Sequence, residues 1–515
     1  MERSSRVPRL GDIQFGFASA EKEGAEAPDL LLTGFLDDAQ LSQSAVWGSP
    51  FLFLGHKGSG KTALAEHARL LAESRPDLFV TTTTLDRFSY GDFKAVAGGS
   101  ADYQVRYPTA WGWLLLLSLV HSLEGDEAGR VRAAGEYKGL VGHLRDLGLM
   151  PAADLALLVT TSSKQSFKAS VPRFLEYTTE RVSSGQDLQL YQLVTALKRA
   201  VLSFPTQSRH VIFIDGLDSI VTQKDLQFQS LAALMQETSE LNLLFRRHDR
   251  PFKFVVLCRT DMFDRLPGAN INKIRQDDSV SLSWFDAPSD PDQTRLFKLV
   301  NLRAERSLGR PANVFDEFLP PRIDDRDTRT VILDHTRHTP RDLVQVLRKL
   351  QQTSGPEPRL SPKQVKSGLR LYSIDYFVPE LRNELAGYLD PDDIDKSLML
   401  LTSLHRPRLS FADLERTADE LELGPIDLRG LVRALFDASC VGMVTEMAGR
   451  RPLYTFKYRN PAATIVPGRR LRIHPGALKG LNIEVGPSGK PSTGGKRGAP
   501  GRPSPRRHPK PQSSR

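Results

Sequence analysis

A three-layer α/β domain on a parallel sheet is the fold class this sequence predicts, and three observations predict it. Five short apolar runs have the β-branched and aromatic content of strands covered on both faces: Phe51–Leu54, Leu78–Thr84, Val211–Ile214, Phe254–Cys258 and Ser279–Trp284. Helical patterns separate these runs. Leu190, Leu193, Val194, Leu197 and Val201 follow the i, i+3, i+4, i+7 rule, so a helix packs just ahead of the third run. Such alternation implies right-handed crossovers and helices on both sheet faces. The third observation is a glycine-rich turn, Gly55 to Thr62, set between the first strand and a helix.

That turn carries the chemistry. In Gly55-His56-Lys57-Gly58-Ser59-Gly60-Lys61-Thr62, the three glycines let the backbone curl so that successive N–H groups face inward, a cradle for phosphate oxygens. The helix that follows adds its positive N-terminal end. Lys61 is placed to reach the β- and γ-phosphates of a nucleoside triphosphate, and the Thr62 hydroxyl to ligate magnesium. The expected cofactors are ATP and Mg2+.

The third run ends His210-Val-Ile-Phe-Ile-Asp215-Gly-Leu-Asp218. An acid at the C-terminal end of a parallel strand sits on the ligand-binding edge of the sheet. Asp215 is expected to hold magnesium through water, and Asp218 to orient or deprotonate the attacking water. The bland alternative for such an acid is a helix cap. The fourth run ends in Arg259 and should lie between the two motif strands, which puts a permanently charged, planar donor set beside the γ-phosphate. Its competing role is a surface arginine paired with Asp261 or Asp264. In His338-Thr-Pro340-Arg341-Asp342, Pro340 suits the first helical position. Arg341 then falls in a first turn where a cation is disfavoured, so either the nucleotide holds it or Asp342 balances it.

The rest of the chain organises around this core. The expected division is an N-terminal segment (1–35), the nucleotide core (36–290) with a helical insertion at about 86–205, a helical lid (291–375), a winged helix (376–484) and a disordered basic tail (485–515). In the lid, helices are expected over Pro291–Leu308 and Arg341–Gln352. Later come a helix over Asp390–Leu404 capped by Asp390, a capping box at Ser410–Asp413, and a helix from near Pro425 with Leu428, Leu431, Val432, Leu435 and Phe436 on one face. A hairpin of Val441–Glu446 and Leu453–Tyr458 follows. The insertion is a candidate surface for a protein partner.

Composition narrows the partners. The net charge is +9. Lys490, Lys496, Arg497, Arg502, Arg506, Arg507, Lys510 and Arg515 all lie in the tail, which has no acid, so removing these eight leaves +1 for the remainder. Two cysteines, Cys258 and Cys440, sit far apart in apolar stretches, which argues against a disulfide framework and fits a reducing cytoplasm. No apolar leader is visible, and Ala110–Val120 is too short to span a bilayer, so it should be a buried helix and the chain should have no membrane contact.

Taken together, Gly55-His-Lys-Gly-Ser-Gly-Lys-Thr62, Ile214-Asp-Gly-Leu-Asp218, Arg259-Thr-Asp-Met-Phe263, Phe456-Lys-Tyr-Arg-Asn-Pro461 and Ile473-His-Pro-Gly-Ala-Leu-Lys-Gly-Leu-Asn482 give the chain a family likeness. It resembles a little-characterised bacterial P-loop ATPase family, named after a cyanobacterial locus, near the STAND and AAA+ NTPases. The resemblance runs from about Phe15 to Asn482. It implies an ASCE-type sheet of order 5-1-4-3-2, a helical lid and a C-terminal winged helix. It also implies Asp215 and Asp218 as the acids, Arg259 as first sensor, and lid residues Pro340 and Arg341 touching nucleotide. STAND relatives often have Asp-Glu where this chain has Asp218-Ser219, which suits slow hydrolysis.

Three functions compete. The first is an ATP-driven conformational switch in signalling or antiphage defence. The second is a DNA-binding ATPase, with duplex DNA held by Arg429, Arg433, the wing-tip Arg450 and Arg451, or the basic tail. The third is a scaffold that holds ATP without hydrolysing it. A homo-oligomer is compatible with each.

Overall fold

In the computed structural model, residues 7–98, 102–150, 154–164, 186–217, 224–268, 270–286, 294–449, 452–466 and 468–483 are described. Asp218, Arg450, Arg451 and the basic tail, all singled out above, lie outside the described residues.

The five expected strands are present as β1 (Leu52–Gly55), β2 (Leu78–Thr84), β3 (Arg209–Asp215), β4 (Phe252–Arg259) and β5 (Ser279–Ser281). They form one sheet in the order β2-β3-β4-β1-β5, every pair parallel, which is the ASCE order read from its other end. β4 lies between the two motif strands. The register sets Gly55 opposite Arg259 and Thr84 opposite Asp215, so the loop, the acid and the arginine emerge on one edge.

Residue alternation explains the three layers. Phe53, Val211, Phe213, Val255 and Leu257 pack to one side with Leu64, Ala65 and Ala68 of the loop helix, Lys61–Glu73. Leu52, Leu54, Ile212, Ile214, Phe254, Val256 and Cys258 face the other side. Fully burying one such side chain is worth about 1.5–3 kcal/mol, and a strand covered on both faces gains this at every position.

The second face is covered by the segment expected to be an insertion. Helix Tyr103–Gly125 lies on it, with Trp111, Leu114, Leu115 and Leu116 fully buried, and helix Gln186–Ser203 packs against it. The stretch that looked most membrane-like is thus an inner layer of the nucleotide core. No helix among the described residues is long and apolar enough to cross a membrane.

Beyond β5 the chain is helical: Arg295–Leu308, Val314–Phe318, Thr328–His335, Pro340–Gln352 and Pro362–Tyr372. A π-helical turn, Ser373–Phe377, and helix Val378–Leu385 link these to the C-terminal part. There, helix Pro391–Ser403, strand Arg408–Leu409, helices Phe411–Glu420 and Leu428–Asp437, and strands Val441–Thr445 and Leu453–Thr455 follow the order of a winged helix. A further strand, Leu471–Ile473, joins that sheet. The capping box at Ser410 and Asp413 forms. Asp390 occupies its cap position without a side-chain bond. These helices and the C-terminal part share one apolar core, in which Leu343, Val346 and Leu347 are joined to Leu401, Leu435, Val441 and Ile473.

Candidate functional site

The loop turns where its glycines allow it. Gly58 and Gly60 take φ values of +81° and +97°, left-handed conformations that an L side chain resists. At Gly58 space is limiting too: a Cβ would stand 3.0 Å from the Arg341 Cβ. The turn is closed by Ser59 N–H donating to the His56 carbonyl at 3.1 Å, and Trp284 Nε1 holds it from β5's side through the Ser59 carbonyl, at 2.7 Å.

Lys61 is buried within the loop, its ammonium donating to the carbonyls of Gly55 at 3.1 Å and His56 at 3.3 Å. The Thr62 hydroxyl donates to Asp215 Oδ2 at 2.6 Å, joining residues 153 apart in sequence. Asp215 Oδ1 accepts the Gly216 N–H at 2.8 Å. Ser59 Oγ is buried with no hydrogen-bond partner among the described residues. Buried polar atoms are nearly always paired, so a hydroxyl of this kind in a phosphate loop marks a place for a ligand or water. Among the described residues, no group of three or more His, Cys, Asp or Glu is placed to hold a metal. The Thr62–Asp215 pair fits the sparse protein ligation of magnesium, which takes its remaining oxygens from water and phosphate.

Arg259 is buried among carboxylates. Its Nε and Nη2 donate to Asp261 Oδ1 and Oδ2, both at 2.9 Å, and Nη2 also reaches Glu384 Oε1. The pairing with Asp261 is the one expected of a surface arginine, yet the pair sits inside the molecule, at the strand end beside Gly55. Burial alone would raise the Asp261 carboxyl; Arg259 and the Tyr388 hydroxyl outweigh it and hold it at about 2. Burial also keeps the neighbouring His56 imidazole below its ordinary value, against the pull of Asp261 and Glu384.

Pro340 opens its helix at the first position, capped by Thr339. The Arg341 backbone N–H points at the Gly58 carbonyl, 3.4 Å away, so this helix start abuts the loop. Asp342 does not balance Arg341. It is fully buried and bound by Arg337, at 3.0 and 2.8 Å, and by the Tyr376 hydroxyl at 2.9 Å. Burial would raise its pKa, but Arg337 and Tyr376 hold it at about 2. Arg341 instead lies 3.9 Å from Glu380, which also pairs with Lys57 at 2.9 Å.

His338, beside this helix start, takes a left-handed φ of +52° between the rings of Phe285 and Tyr458. Neither of its ring nitrogens has a hydrogen-bond partner among the described residues, and burial lowers its pKa to about 4.

Sequence reasoning missed Glu380, Glu384 and Tyr388. Their spacing of four was readable, but which surface that stripe would face was not.

A family model for the FunZ-associated C-terminal helical domain matches residues 294–378. Among solved structures, the chain is similar to the Aeropyrum pernix ORC1 protein in complex with DNA, with 15% identity, a TM-score of 0.39, and coverage of 90% of this chain and 95% of that one. It is also similar to Cdc6p from Pyrobaculum aerophilum, with 12% identity, a TM-score of 0.29, and coverage of 88% and 92%. No curated protein matches the chain. With likenesses this distant, the P-loop fold stands on the strand order and loop geometry.

Proposed function

We propose that the chain binds ATP with magnesium at Gly55–Thr62 and acts as a slow, nucleotide-dependent conformational switch. The observation that carries this is the 2.6 Å contact between Thr62 and Asp215, which brings the loop hydroxyl and the strand-end acid to one point. Thr62 and Asp215 would hold the magnesium, whose charge would offset that of the β- and γ-phosphates. Lys61 and the loop N–H groups bind those phosphates, and Ser59 offers its free hydroxyl beside them. Arg259, with Arg341 and Pro340 of the lid, senses the terminal phosphate, and Asp218 orients the attacking water. Asp218-Ser219 in place of Asp-Glu supports a slow switch, in a signalling or defence setting.

The test is calorimetry of magnesium-ATP with the parent and Lys61→Ala, followed by steady-state turnover. Binding by the parent alone, with slow turnover, is the expected result; equal affinity in both proteins would remove the loop from the site.

The second reading, a DNA-binding ATPase, has its own observation. Arg429 and Arg433 are exposed on helix Leu428–Asp437, with the Arg433 side chain 80% accessible. Turnover stimulated by duplex DNA would favour that reading; turnover indifferent to DNA favours the switch.

A further inference from the structure

The segment that leaves the lid for the winged helix carries a polar stripe. Tyr376, Glu380, Glu384 and Tyr388 recur every four residues through the π-helical turn, helix Val378–Leu385 and the turn after it. That spacing stacks side chains on one helix face. Each of the four meets a charged group of the site or its lid. The Tyr376 hydroxyl donates to Asp342 and the Tyr388 hydroxyl to Asp261, both at 2.9 Å. Glu380 faces Lys57 at 2.9 Å and Arg341 at 3.9 Å, and Glu384 receives Arg259.

Two carboxylates therefore engage the three cations best placed, after Lys61, to meet a triphosphate. Carboxylate and phosphate oxygens compete for the same donors, since both accept charge-assisted hydrogen bonds. Glu384 keeps its other oxygen, Oε2, buried without a hydrogen-bond partner among the described residues. The Arg259–Glu384 pair is buried, and such a pair roughly breaks even against its desolvation; the Glu380 pairs are partly exposed and worth less still, which suits contacts made to be exchanged. The lid is also close against the loop. The cavity bordered by His56, Ser59, His338 and Thr339 has a volume of only about 10 Å3, room for roughly one water.

We infer that Glu380 and Glu384 form an internal acidic latch, competing with the terminal phosphates of a nucleotide for Lys57, Arg341 and Arg259. Nucleotide binding releases the stripe, and with it the segment that leads into the winged helix. This rests on the loop being the nucleotide site, as proposed above.

The experiment is hydrogen–deuterium exchange and calorimetry on the full chain, using a non-hydrolysable ATP analogue with magnesium. In the parent, the analogue should raise exchange over residues 376–389. The double variant Glu380→Gln/Glu384→Gln should show that raised exchange without nucleotide. It should also bind the analogue about tenfold tighter, the scale of one charge-assisted hydrogen bond. If the analogue binds the parent without changing exchange there, or binds the double variant no tighter, the latch is overturned and the nucleotide site stands. Failure of the parent to bind at all overturns the site itself, and the latch falls with it. Should the double variant not fold, Lys57→Gln removes the opposite partner and must raise exchange in the same segment; no rise sinks the latch.

Discussion

Lys61 is the residue whose role follows most directly from its place. It is buried at the head of its helix with its ammonium held by loop carbonyls, so Lys61→Ala removes the central cation of the cradle. Nucleotide binding should fall below detection in calorimetry. Arg259→Ala should act more selectively, reducing the preference for ATP over ADP; an unchanged affinity ratio would leave Arg259 a structural partner of Asp261. His338 gives a pH test. Its folded-state pKa is about 4, below the ordinary 6.5, because burial penalises the charged ring. Between those values the unfolded chain binds more protons, so stability is lost as pH falls from 6.5 towards 4. A shift of this size corresponds to about 3 kcal/mol. His338→Asn keeps a residue that tolerates the left-handed backbone and removes the titration. Its unfolding midpoint should fall less than the parent's between pH 7 and pH 4.5; parallel curves would place the acid sensitivity elsewhere.

At the scale of elements, the phosphate loop was legible because its chemistry is local: glycines, a lysine and a threonine at fixed spacing between a strand and a helix. The helix Pro340–Gln352 was legible for the same reason, since proline and the preceding threonine mark its start. The partner of Asp342 was not. Sequence proximity favoured Arg341, yet helix geometry turns Arg341 towards the loop and leaves Asp342 to Arg337, on the chain just before the cap. Gly58→Ala tests how closely the two elements meet. The left-handed backbone alone makes alanine unfavourable by about 1–2 kcal/mol, and its Cβ would press on Arg341. Nucleotide affinity should drop even if the thermal midpoint moves little. An alanine variant that binds as well as the parent would show that the lid helix can back away freely.

For the whole molecule, the helices from Arg295 onward and the C-terminal part are built on one apolar body, which also takes in Trp284 beside β5 and Leu10, Ile13 and Phe15 of the N-terminal segment. The N-terminal segment straps that body down. Glu23 accepts Arg303 of the lid at 2.7 and 3.1 Å, in a buried pair that also holds the Phe15 carbonyl at 2.6 Å. Glu23→Ala leaves Arg303 buried without its counter-charge, so the chain should lose about 3–5 kcal/mol of stability, measured by urea denaturation; a loss under about 1 kcal/mol, the range of an exposed pair, would mean that water reaches the arginine. Truncation before Val485 is the complementary test. It should remove salt-sensitive DNA binding if the basic tail is the contact, at a slope of about −0.9 per phosphate neutralised, while ATP turnover persists. Undiminished DNA affinity in the truncated chain would move the contact to Arg429 and Arg433.

The sequence by itself determined what depends on near neighbours: the five strands, the loop and its helix, the acid ending β3, and the capping box at Ser410. Apolar runs, glycine conformations and caps act over a few residues, so their physics is written in order along the chain. Tertiary structure alone decided which charges meet. Tyr103–Gly125 became a layer of the core because one whole sheet face needed covering. Arg259 and Lys57 found Glu384 and Glu380 more than a hundred residues away, because helix Val378–Leu385 comes to rest beside the loop and the end of β4. A carboxylate four residues from another is visible in any helix, but the cations it will neutralise are chosen by whatever surface that helix comes to rest on.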